Sequence, residues 1–175
     1  MISKKEKNVT IILMVVIGAC MHFVLEMFPS GPVTVALGSI FPANETCWEH
    51  MKMIWYPFLA AGIVQGHREK NRAYLAAFVV CGIMAMLVQL GAFSVYQSYF
   101  GFSILLLDVI IYVSTMVALA VMAFDFAQKG WSRRFFSAWI ALAAIVTAAI
   151  IYLTYYPGGG YVFMDNEGLR EVFCK

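Results

Sequence analysis

The sequence predicts an all-α integral membrane protein: a single membrane domain over residues 1–175, folded as a bundle of five transmembrane helices, N-terminus cytoplasmic and C-terminus outside. Three observations carry this expectation. Hydrophobic residues make up 62% of the chain and charged residues 13%, against about 45–50% and about 25% in an ordinary soluble domain. The apolar residues gather in runs near the ~20 residues that cross a hydrocarbon core as a helix. Lysine and arginine fall in alternate connections between those runs, which orients the chain by the positive-inside rule.

The first span is expected over 9–28. Its basic start, Lys4, Lys5 and Lys7, resembles that of a signal peptide, but the run is long for one and no small-residue cleavage site ends it. It is therefore read as a retained helix. The second span is expected over 47–66, the third over 74–93, the fourth over 101–124 and the fifth over 136–156. Helices are the expected form because an open strand leaves backbone groups unpaired in lipid. Arg68, Lys70 and Arg72 separate the second and third spans, and Lys129, Arg133 and Arg134 the fourth and fifth. The other two connections carry no lysine or arginine. With five spans, all three basic segments lie on one side. Tyr96, Tyr99, Tyr152, Tyr155 and Tyr156 fall at predicted outer ends, and Trp131 at an inner one, where such rings prefer the headgroup level. Pro157 and three glycines end the last span. The tail 157–175 then has apolar residues and a turn, a pattern that folds it back over the outer face.

The formal net charge of +2 implies no nucleic-acid partner. Cys20, Cys47, Cys81 and Cys174 form no C-x-x-C or zinc-finger spacing. Cys20 and Cys81 lie in apolar runs as small hydrophobes, and a Cys47–Cys174 disulfide needs both outside. Phosphate loops, dinucleotide fingerprints and nucleophile elbows are absent from the sequence.

Charge concentrates instead in one place. Asn44 to Lys52, NETCWEHMK, puts two acids, a histidine and a lysine at the mouth of the second span. His22 lies roughly 20 Å from the inner end of the first span, and Glu26 follows one turn later on the same face. Asp108 is about 10 Å into the fourth span, and Gln89 is near the outer end of the third. His22, Glu26, Glu45, Glu49, His50, Lys52 and Asp108 thus fit one layer from three helices. Ionisable groups at that depth cost about 2.5–3.5 kcal/mol each on insertion scales and normally face a bundle interior or wet cavity. One outward-opening polar pocket between the first, second and fourth helices accommodates them.

Structural roles compete with that reading. Thr46 and Glu49 have the spacing of a capping box, Asn44 is an alternative cap, and acids suit a helix start. Lys52 is placed to pair with Glu49 or to reach outward. His22 with Glu26 suits a structural pair, and Asp108 needs a partner from another helix. As chemistry, His22, Glu26, His50 and Asp108 are a set for zinc or another divalent metal, with Glu49, Glu45 and Lys52 as candidate catalytic groups and Glu49 as general base toward metal-bound water. That set predicts metal-assisted hydrolysis of a lipid-like substrate. The same residues suit a small-solute or ion/proton-coupled transporter, with Pro57 a candidate break in the second helix. They equally suit a structural, sensing or partner-binding protein.

The stretch FPANETCWEHMKMIWYPFL resembles the N-E-S-x-W-E-H-x-K signature of a family of small uncharacterised bacterial membrane proteins, with threonine at position 46 where serine is usual. HFVLE in the first span and YVFMDNEG after the last look like that family's other recurring segments. The resemblance covers most of the chain. It implies several spans in a bacterial or archaeal cell membrane and matches at His22, Glu26, Asn44, Glu45, Trp48, Glu49, His50 and Lys52, and it brings no activity. In residue kind and depth alone, the layer is also similar to membrane hydrolases of the alkaline ceramidase and adiponectin-receptor type. Those hold zinc by histidines beside an aspartate; their His-x-x-x-His is absent here, and the span number differs.

Overall fold

The computed structural model describes residues 2–27, 31–44, 46–130, 136–159 and 163, without the side chain of Glu26. Among them every regular element is helical: α1 (Lys4–Val24), continued by a 3₁₀ turn (Leu25–Met27), α2 (Pro32–Leu37), α3 (Cys47–His50), α4 (Lys52–Arg68), α5 (Ala73–Phe100), α6 (Leu105–Gln128) and α7 (Phe136–Tyr155). Four of these, α1, α5, α6 and α7, are long and apolar enough to cross a membrane.

The second expected span is built differently from the others. It is divided at Met51 into the single turn of α3 and the 17 residues of α4. Met51 keeps helical dihedrals, and its carbonyl accepts from Trp55 N at 2.9 Å, so the division is a slight step in one rod. From Cys47 to Arg68 that rod is about 33 Å long at 1.5 Å per residue. Pro57 lies inside α4 without ending it. Having no N–H, it leaves the carbonyl of Met53 without its helical donor. That carbonyl faces Gly18 of α1, where an added Cβ would collide with it and with the Tyr112 hydroxyl. The glycine thus lets α1 lie against the opened turn of α4.

Three boundaries differ from the sequence expectation, each for a local reason. Helix α1 begins at Lys4 because Ser3 and Glu6 form a reciprocal capping box, Glu6 N to Ser3 Oγ at 3.2 Å and Ser3 N to Glu6 Oε2 at 3.0 Å. Helix α5 runs on to Phe100. It is closed by Gly101 at φ 76°, whose N–H bonds the Gln97 carbonyl at 2.7 Å. Gly101 therefore ends one helix rather than opening the next, and α6 starts at Leu105. The connection after α1 is also more ordered than its composition suggests, since Pro32 opens the short helix α2.

Helix α4 is the central rod. Ile54, Trp55 and Phe58 are fully buried. Phe58 meets Phe78 of α5, which meets Phe124 of α6 edge-on at 5.1 Å. On its other side, Trp55 Nε1 donates to Thr147 Oγ1 of α7 at 3.0 Å. At one end of the bundle Arg68 pairs with Glu6 at 3.0 Å, and Lys7 lies 3.6 Å from Asp125. These exposed pairs are worth little energetically, but they put the start of α1 beside the ends of α4 and α6. Asp125 is exposed and faces Lys7. The outward faces of the long helices are apolar: Ile12, Leu13, Val16 and Ile17 on α1 are all at least half exposed. Patches of that extent are rare on proteins in water and suit a lipid bilayer.

Candidate functional site

At the opposite end of the bundle, the residues of NETCWEHMK divide into two groups. Thr46 caps α3, its hydroxyl accepting from Glu49 N at 3.4 Å, and Asn44 Oδ1 accepts from Thr46 N at 3.0 Å to shape the approach. The Glu49 carboxylate turns to the preceding chain, where Oε2 accepts from Ala43 N at 2.7 Å and lies 2.5 Å from Lys52 Nζ. Lys52 does not reach outward. It is fully buried and donates to the carbonyls of Gly38 at 2.6 Å and Phe41 at 3.4 Å. Its three donors thus meet a carboxylate and two carbonyls, the acceptor set that a buried ammonium requires.

The pair pins the α2 connection across the end of the bundle. Two tyrosines add to the hold: Tyr56 donates to the Ser39 carbonyl at 2.6 Å and Tyr155 of α7 to the Val35 carbonyl at 2.6 Å. The tail meets the same region through Phe163, whose ring lies 5.5 Å from that of Trp48. The rest of the tail beyond Gly159, including Cys174, is outside the described residues, and so is Glu45.

The second group lines a cavity of about 280 Å³ enclosed by α1, α3, α4, α5 and α6. His22 of α1 and His50 of α3 enter it with their rings stacked at 5.2 Å. His50 Nδ1 lies 2.7 Å from the Thr46 carbonyl. A carbonyl only accepts, so Nδ1 carries a proton in this contact. Asp108 of α6 reaches the same space and accepts a hydrogen bond from the Tyr96 hydroxyl of α5. Gln89, nine-tenths buried, brings an amide oxygen that has no hydrogen-bond partner among the described residues. Cys47 and Ser103 complete the polar wall.

Apolar side chains form the remainder. Phe23 on α1 and Leu105, Val109 and Val113 on α6 line the cavity and are also exposed on the outside of the bundle. The last three recur every fourth residue along one face of α6. The cavity is therefore polar at one end and bordered by an apolar seam between α1 and α6. A second cavity, about 450 Å³, lies between the end of α1, the α2 connection and the end of α7, and His22 is in its wall as well.

Of the residues predicted from sequence, His22, His50 and Asp108 line one cavity, while Glu49 and Lys52 lie together at the α2 connection. The side chain of Glu26 is outside the described residues. Among the described residues, no three of histidine, cysteine, aspartate and glutamate are grouped as a metal ion needs. Sequence reasoning missed Tyr96 as the partner of Asp108 and assigned it to the headgroup belt, whereas it is buried. The signal was present: residues 96 and 108 are nearly equidistant from the tight connection that joins α5 and α6.

The family model described as a family of unknown function, DUF6512, matches residues 1–169. The chain belongs to this family. Comparison with curated proteins and with solved structures gives no match. DUF6512 membership thus agrees with the uncharacterised family expected from the sequence, and any activity has to be argued from the site.

Proposed function

We propose that this DUF6512 protein crosses a cell membrane five times, with its N-terminus cytoplasmic, and holds a single-chain amphiphile in the cavity between α1 and α6. The observation that carries the reading is the shape of that cavity: a polar end of His22, His50, Asp108 and Gln89, and an apolar border of exposed Phe23, Leu105, Val109 and Val113. A ligand with a polar head and an apolar chain matches both. The volume, about 280 Å³, falls just under the ~300–1,000 Å³ of small-molecule pockets. It suits a head and the first part of one chain, with the remainder following the α6 seam into lipid. The fifth crossing is assigned to the α3–α4 rod, whose length suffices when both parts are counted.

The test is photolabelling in proteoliposomes with a lysophosphatidylcholine carrying a diazirine in its chain. Adducts are expected at Phe23, Leu105, Val109 and Val113, and Ala19→Phe, which fills the cavity from α1, is expected to remove them. Adducts spread evenly over the outer faces of all the helices would refute the site.

Metal-assisted hydrolysis of such an amphiphile is a second reading. It is favoured by the stacked His22 and His50 beside Asp108 and by the Nδ1 contact of His50 with a backbone carbonyl, an arrangement that orients metal-ligating histidines. Glu26 would have to complete the ligand set. Elemental analysis of the purified protein beside a His22→Ala/His50→Ala double mutant decides it: near-stoichiometric metal lost in the mutant supports hydrolysis, and no metal in the folded parent rejects it.

A further inference from the structure

The head group of the ligand can be taken further, on the reading just given. The acidic group of the cavity wall is Asp108, and the buried amide of Gln89 lies in the same wall. The Gln89 amide oxygen is buried and has no partner among the described residues. Asp108 presents a carboxyl group already held by Tyr96 from one side. Among the described residues, no lysine or arginine lines the cavity. Lys52, which is buried, is held in the Glu49 pair at the α2 connection.

A buried acceptor with no donor is costly, and a ligand that supplies N–H groups removes that cost. A primary ammonium brings three donors and a positive charge. It can meet the Gln89 oxygen and the Asp108 carboxyl at once, and only its first few methylenes need to fit inside the cavity. A carboxylate or phosphate head brings negative charge beside the Asp108 carboxyl, with no lysine or arginine among the described residues of the wall to receive it. From this juxtaposition of Asp108 and Gln89 beside an apolar seam, we infer that the cavity selects single-chain amphiphiles with a primary amine head over those with an anionic head.

The experiment is competition against the diazirine lysolipid in proteoliposomes. The competitors share one saturated twelve-carbon chain and differ only in the head: primary amine, hydroxyl, carboxylate or phosphate monoester. The amine is expected to compete at about tenfold lower concentration than the carboxylate, the effect of one charge-assisted hydrogen bond. Asp108→Asn and Gln89→Leu are each expected to bring that ratio towards one. Both variants are checked for the parent's unfolding profile, and the comparison among heads on the parent alone already tests the claim. Equal competition by all four heads, or preference for an anionic head, overturns the inference while leaving the amphiphile site standing. Absence of seam adducts in the parent refutes the underlying site.

Discussion

Glu49 and Lys52 meet at 2.5 Å inside the protein, one turn apart at the head of α3 and α4, with less than a twentieth of either side chain exposed. The charge at the mouth of this apolar segment is directed inward. Together the two side chains hold the chain between Gly38 and Ala43, and so fix the connection that closes the end of the bundle above the cavity.

Lys52→Met is expected to destabilise strongly, by about 3–5 kcal/mol, because it leaves the Glu49 carboxylate buried without its cation. The double mutant Glu49→Gln/Lys52→Met is expected to recover part of that loss. Unfolding of the detergent-solubilised proteins, followed by circular dichroism, measures both. A single mutant as stable as the parent would remove the pinning role.

Gly18→Leu is expected to push α1 away from α4 and α6, since even a Cβ there meets the Met53 carbonyl and the Tyr112 hydroxyl. Overpacking of this kind costs about 1–3 kcal/mol. Because α1 forms one wall of the cavity, the variant is also expected to lose photolabelling at the α6 seam. An unchanged melting temperature with unchanged labelling would show that the two helices are not in close register.

Tyr96→Phe and Asp108→Asn are expected to be coupled in a double-mutant cycle by about 1–3 kcal/mol, the range for a hydrogen bond to a charged or buried acceptor. Additive effects on stability would mean that the contact between α5 and α6 contributes nothing.

Orientation is tested with single cysteines in a cysteine-free background. Lys70→Cys is expected to react with an impermeant maleimide only after the membrane is opened from the cytoplasmic side. Ser98→Cys is expected to react from outside intact cells. The reverse pattern would invert the assigned topology.

The helical class, the long apolar helices and the Thr46 cap are legible in the sequence because each depends on local pattern. His22, His50 and Asp108 are legible as one layer because depth follows from counting residues along a helix. The role of Lys52 is not, since two of its acceptors, the carbonyls of Gly38 and Phe41, belong to backbone and carry no residue signature. The division of the second span at Met51 also escapes notice, because Met51 keeps helical dihedrals and interrupts no apolar pattern. Gly101 was misassigned for a related reason: a helix-ending glycine and the start of the next apolar run look alike until the left-handed dihedral is known.

The most direct measurement is native mass spectrometry of the protein released from lipid nanodiscs that contain the twelve-carbon amine, with the parent beside Ala19→Phe. A bound cavity predicts one amphiphile retained per chain in the parent and none in the variant, with both proteins folded. Equal retention in the two, or none in either, would contradict a ligand site between α1 and α6.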